Sequence, residues 1–199
     1  MHGGEGDMAL PLPVEPWPRG RYTVEDWLRL PEHVGERIEL IDGSFVVSPT
    51  PLSLHQVCSG RLRTILASMA PRDLEVVQEF GVQVLDNVLV PDVVVGDAEV
   101  LLQSSKILEP YETHLVVEVV SHGNRRRDYV EKPKMYAEAG IEHFMRIELE
   151  VEHGPHLEVL TLRDGAYARA ASARAGEKLT LTEPFPISFD PAELVGLRR

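Results

Sequence analysis

Two short stretches decide the reading of this chain: Val90-Pro91-Asp92-Val93-Val94-Val95 and Leu115-Val116-Val117-Glu118-Val119-Val120. Each is a run of β-branched and aliphatic residues, too short for a helix and broken by a single acid, and so predicts a buried strand. A carboxylate inside such a run is costly unless a cation or a set of donors compensates it. In a pleated strand Glu118 shares a face with Val116 and Val120, and Asp92 shares one with Val94. If the two strands are neighbours, both carboxylates converge at one end of a sheet. Arg125-Arg126-Arg127-Asp128 and Lys132 follow, which predicts a shared site holding a positive ion.

Working outward from these strands, the flanking segments alternate in type. Thr23 and Asp26 have the spacing of a capping box and open a short helix that Pro31 closes. Asp42-Gly43 between two apolar runs is a hairpin signal. Leu54, Val57, Cys58, Leu62, Ile65, Leu66 and Met69 recur at helical spacing over 53–69, with His55 near the start. Residues 74–85 read as extended with a break at Gly81, and 96–113 as a more polar connection. A second amphipathic helix ends at Ala139-Gly140, where glycine suits the C-terminal cap. Strands follow at 141–150 and 157–162, then an Asp164-Gly165 turn, a meander and a last helical turn at Pro191. This order predicts a mixed α/β (α+β) fold in one domain over 21–199, after a Pro- and Gly-rich leader at 1–20.

Composition narrows the classes. Apolar content of 43% and charged content of 26% are those of an ordinary globular domain. No run approaches a membrane span and the leader lacks the pattern of a signal peptide, so the expected location is the cytoplasm. The single cysteine, Cys58, excludes an intrachain disulfide and a cysteine zinc cluster. A net charge of −12 argues against binding nucleic acid through overall charge, but not through a local basic patch beside metal-holding acids.

The chemistry expected of Asp92 and Glu118 is that of hard oxygen ligands, which suit Mg²⁺ or Mn²⁺. Such an ion polarises a phosphodiester and lowers the pKa of a bound water. Lys132 is placed to orient that water or to stabilise charge on the phosphate. Arg125, Arg126 and Arg127 are the candidate phosphate contacts. Asp128 reads as a structural partner of Lys132 or a helix cap, and Tyr136 shares the 128–132–136 face. Ser121 has no partner histidine for nucleophilic catalysis, and His153-Gly154-Pro155-His156 reads as a loop.

These pieces together resemble the Uma2 family of the PD-(D/E)XK, restriction-endonuclease-like superfamily. The carrying residues are Glu36 to Gly43, His55, Pro91 to Val95, Val117 to Ser121, Arg126 to Asp128, Lys132, and Tyr136 to Ile141, spread from about Tyr22 to Val195. The resemblance implies a restriction-endonuclease-like core, a mixed central sheet flanked by helices with C-terminal strands extending it. It further implies an endonuclease acting on DNA, with Asp92 and Glu118 as metal ligands, and Glu39 and His55 lining the cleft. The superfamily lysine stands two residues after the glutamate, where this chain has Val120; in Uma2-like proteins it lies on the following helix, at Lys132. Pro133 and the segment His143 to Glu148 depart from the pattern. They motivate the alternative of a non-catalytic binding or assembly module. Homodimerisation is expected for a nuclease that cuts two strands.

Overall fold

The computed structural model describes residues 21–31, 37–120, 125–149 and 154–196. The leader, Ser121 and His153 lie outside them. Helix α1, Val24–Leu28, opens on the predicted capping box: the Thr23 hydroxyl accepts from the Asp26 amide, and the Asp26 carboxylate accepts from the Thr23 amide. Strands β1, Arg37–Ile41, and β2, Ser44–Ser48, form the hairpin around Asp42-Gly43. Both turn residues have positive φ, 48° and 71°, as a tight hairpin turn requires. Helix α2 spans Ser53–Met69.

Strand β3 is Leu74–Gln78, and β4, Gly81–Val84, follows after the expected break. Next come β5, Asn87–Leu89, and β6, Val93–Asp97. The strand of the Asp92 run thus begins one residue after the acid. The Asp92 amide still donates to Val117 O and its carbonyl accepts from Glu79, which ties it to the sheet. The polar connection after β6 holds a short helix α3, Ala98–Leu101, and a two-residue strand β7, Ile107–Leu108. Strand β8, Thr113–Val120, carries Glu118.

A π-helical turn, Arg127–Glu131, leads directly into α4, Lys132–Glu138. It answers the question posed by Pro133. In a π turn the amide of Lys132 reaches back five residues to Arg127 O, and the helical path continues through the proline. The chain ends with β9, His143–Glu148; β10, His156–Arg163; β11, Ala166–Arg174; β12, Leu179–Leu181; and β13, Ile187–Phe189. A capped turn, Pro191–Leu194, closes it.

The strands form a six-stranded sheet in the order β11-β10-β9-β8-β6-β3, a five-stranded sheet β2-β1-β5-β4-β7, and the pair β12-β13. The six-stranded sheet is antiparallel except for β8 beside β9. Strands β10 and β11 extend it as expected, whereas β12 and β13 stand apart. Cys58, Leu62 and Leu66 of α2 pack on one face of this sheet, against Val93, Val95, Val117 and Val119. On the other face Val94, Val116 and Phe144 meet Tyr136 of α4 and Val82 and Val84 of the second sheet. Side chains at β6 and β8 are therefore buried on both faces, which explains why those runs lack alternation. Gly96 lies where the sheets meet: a Cβ there would come within 2.4 Å of Leu108 Cδ1.

Candidate active site

Pairing of β6 with β8 puts Val93 opposite Val117, so Asp92 and Glu118 emerge at the same end of neighbouring strands. Both are buried, at 2% exposure each. Asp92 Oδ1 accepts from Arg37 Nη1 at 2.6 Å, and Oδ2 accepts from the Val119 amide at 2.7 Å. His55 Nε2 approaches the same Oδ2 at 3.3 Å and Val119 O at 3.1 Å. Among the described residues its buried Nδ1 has no hydrogen-bond partner. The His55 position follows from α2: it lies in the first turn of the helix, which brings it to Asp92 and Val119.

On the other face of β8, Glu118 Oε1 accepts from Lys132 Nζ and from the Tyr136 hydroxyl, both at 2.7 Å. Lys132 also reaches Glu39 Oε1 at 3.1 Å. Glu39 binds Arg127 through Oε2 at 2.6 Å and accepts the Val90 amide at 3.1 Å. The hairpin acid that could have faced solvent is thus 1% exposed and inside the cluster. Lys132 turns to Glu118 and Glu39, where helical spacing had suggested Asp128. The π turn between them is the reason, since its wider winding rotates Lys132 relative to an α-helical position. Asp128 is buried and lines the same space.

The basic run divides. Arg127 enters the cluster, Arg125 pairs with Glu148 at 3.6 Å, and Arg126 is 86% exposed and pairs with Glu131. Arg37 is the residue that sequence reasoning passed over as a member of the site. It is two residues from Glu39 on the same face of β1, and a buried Asp92 demanded a cation; those were the available signals.

These side chains enclose a cavity of about 20 Å³, room for one water or one small ion. Its walls hold four acids, Glu39, Asp92, Glu118 and Asp128, against Arg37, Arg127 and Lys132, with His55 beside them. Burial raises Asp92, Glu39 and Glu118, and the outcome differs by partner. For Asp92, His55 and Arg37 outweigh burial and its pKa falls. For Glu39, Lys132, the Val90 amide and Arg127 do the same. Burial wins at Glu118: against the pull of Lys132, desolvation and the charges of Asp92, Glu39 and Asp128 push it up to about 7. Lys132 keeps its proton, because Glu118 and Glu39 outweigh the burial that would drive it off. Of Asp92, Glu39 and Glu118, Glu118 is the last to ionise and the least compensated.

Among the described residues no three His, Cys, Asp or Glu side chains are grouped to hold an ion. Two carboxylates facing an ion-sized space do fit Mg²⁺ or Mn²⁺, which typically takes one or two protein carboxylates and keeps waters. Asp92 and Glu118 are the residues that could hold it.

The model of the Uma2 family, described as "Putative restriction endonuclease", matches residues 24–194. The chain belongs to the Uma2 family. The family supports a nuclease, with nucleic acid as the substrate. The chain is also similar to a crystal structure described as that of "a putative nuclease belonging to DUF820" from Anabaena variabilis ATCC 29413. The TM-score is 0.68 at 16% identity, over 87% of this chain and 97% of that one. That likeness establishes the shared nuclease-like fold. No curated protein matches the chain. No helix among the described residues is long and apolar enough to cross a membrane.

Proposed function

We propose that this Uma2 chain is a metal-dependent endonuclease that hydrolyses DNA phosphodiester bonds. Asp92 and Glu118 hold Mg²⁺ or Mn²⁺, and Lys132 assists the attacking water. The observation that carries the reading is the convergence of these three side chains on one ion-sized, acid-rich cavity. A bound ion would supply polarisation of the phosphodiester and a water of lowered pKa. The chain's own groups do the remainder. Lys132, held in its charged form, is a donor rather than a base: it orients the water and steadies negative charge on the phosphate. Tyr136 fixes Glu118, and Arg37 with the Val119 amide fixes Asp92, so neither carboxylate has to be ordered when substrate arrives. Arg127, at the edge of the cavity, is the phosphate contact of the basic run. Action as a homodimer, one copy per strand, belongs to the same reading.

The test is Mn²⁺-dependent cutting of an end-labelled DNA by wild type and Glu118→Gln, with Mn²⁺ affinity measured in parallel. The variant is expected to lose about a hundredfold in rate and about tenfold in affinity, losses of some 2.7 and 1.4 kcal/mol. A Glu118→Gln protein that binds Mn²⁺ as tightly as wild type would sink the assignment.

A second reading, a binding or assembly module without catalysis, is favoured by one observation: Arg37 and Lys132 already occupy oxygens of both carboxylates. It predicts no change in melting temperature with Mn²⁺. A rise with Mn²⁺ that NaCl does not reproduce counts against it.

A further inference from the structure

A cleft of about 540 Å³ opens beside the small cavity, and Arg37 and Ser48 form part of the wall of both. Its volume is that of a site for a nucleotide-sized ligand. Trp27 and Phe80 contribute aromatic rings to the wall. The Trp27 ring is held in place: Nε1 donates to Ile38 O at 2.8 Å, and the ring abuts Gly81, where an added Cβ would come within 2.7 Å of it. Its position is therefore set without a ligand.

The charge of the cleft opposes that of the chain. The protein carries −12 overall, yet among the described residues Arg37 and Lys106 face this space against Glu79 alone. The Lys106 ammonium bonds to the carbonyls of Leu28 and Leu30 and, among the described residues, pairs with no carboxylate. Arg37 lines both spaces, and among the described residues its buried Nε has no hydrogen-bond partner. An anion at the junction of the two spaces would meet the Arg37 guanidinium, a charge-assisted donor.

We propose that this cleft is a subsite for one unpaired nucleotide of a single-stranded or locally melted polynucleotide. The base lies against Trp27 and Phe80, and its phosphate reaches Arg37 at the entrance to the Asp92–Glu118 cavity. The inference rests on the nuclease reading and adds a substrate class to it. In a duplex the faces of each base are covered by its neighbours, so only an unpaired base can offer a face to an aromatic wall.

The experiment is a fluorescence titration in EDTA, so that neither metal nor cleavage enters. The chain has two tryptophans, Trp17 and Trp27, and a Trp17→Phe background leaves Trp27 as the reporter. The probes are a short oligothymidylate, a blunt duplex of the same length and thymidine monophosphate. The oligothymidylate is expected to quench Trp27 and to bind about tenfold tighter than either other probe. Thr50→Glu, at an exposed position in the cleft wall, is expected to weaken that binding about tenfold with an unchanged melting temperature. Equal binding of the duplex, absence of quenching, or an unaffected Thr50→Glu protein would each overturn the subsite. Equal binding of the mononucleotide would also overturn it, as the mark of a small-molecule site. Cleavage without quenching strikes the subsite alone, while quenching without cleavage strikes the nuclease reading alone.

Discussion

At the scale of the residue, the site is a set of buried charges that compensate one another, and removing one exposes the others. Lys132 is 4% exposed and lies between Glu118 and Glu39. Lys132→Met should therefore destabilise the fold by about 3–5 kcal/mol in urea denaturation. A loss below about 1 kcal/mol, the range of surface pairs, would mean that the ammonium is solvated and the cluster open. Glu118 supplies a pH signature. Its pKa is raised on folding, to about 7, so its protonation stabilises the native state below the unfolded carboxylate range. That contribution is lost as pH rises through about 7. In EDTA, the stability of wild type relative to Glu118→Gln should fall steadily from acid to neutral pH; a difference that grows with pH would contradict the burial on which the assignment rests. His55, whose pKa is also raised, by Asp92 and Val119 O against burial, changes in the same sense in both proteins, which is why the difference is the quantity to follow. Asp92 and Glu118 were legible at this scale because a charge in an apolar run demands a partner, and Lys132 because it follows them as a basic residue and matches the family pattern. Arg37 was not, since an arginine in a hairpin strand looks solvated until Asp92, 55 residues away, is brought to it.

Elements were legible where a local pattern and burial agree. Helix α2 spans the residues its spacing predicted, the Asp42-Gly43 and Asp164-Gly165 turns hold their strands, and Gly140 caps α4 at a φ of 84°. What escaped was set by distant contacts. Strand β7 is two residues in a polar connection, extended because it pairs in parallel with β4 across the second sheet. The π turn before α4 has no periodic signature, although Pro133 hinted at an irregular helix. Gly96 belongs to this scale, because β6 can approach β7 only where a side chain is missing. Gly96→Ala should cost about 1–3 kcal/mol through overpacking, seen as a lower urea midpoint. An unchanged midpoint would mean that the two sheets are not packed as described.

For the molecule as a whole, the two sheets and two principal helices serve to hold groups from five separate segments around one small cavity. Strand β1 brings Arg37 and Glu39, α2 brings His55, the paired ends of β6 and β8 bring Asp92 and Glu118, and α4 with its π turn brings Arg127, Lys132 and Tyr136. The negative net charge is compatible with a nucleic-acid substrate because Arg37, Arg127 and Lys132 at this site and Lys106 in its neighbouring cleft supply local positive charge. The most direct measurement is nicking of supercoiled plasmid in Mn²⁺ and in Mg²⁺ by the wild-type chain, beside an Asp92→Asn/Glu118→Gln double variant purified identically. The account predicts nicking by wild type with either ion and none by the double variant. Equal nicking by both proteins, or none by wild type with either ion, would contradict it.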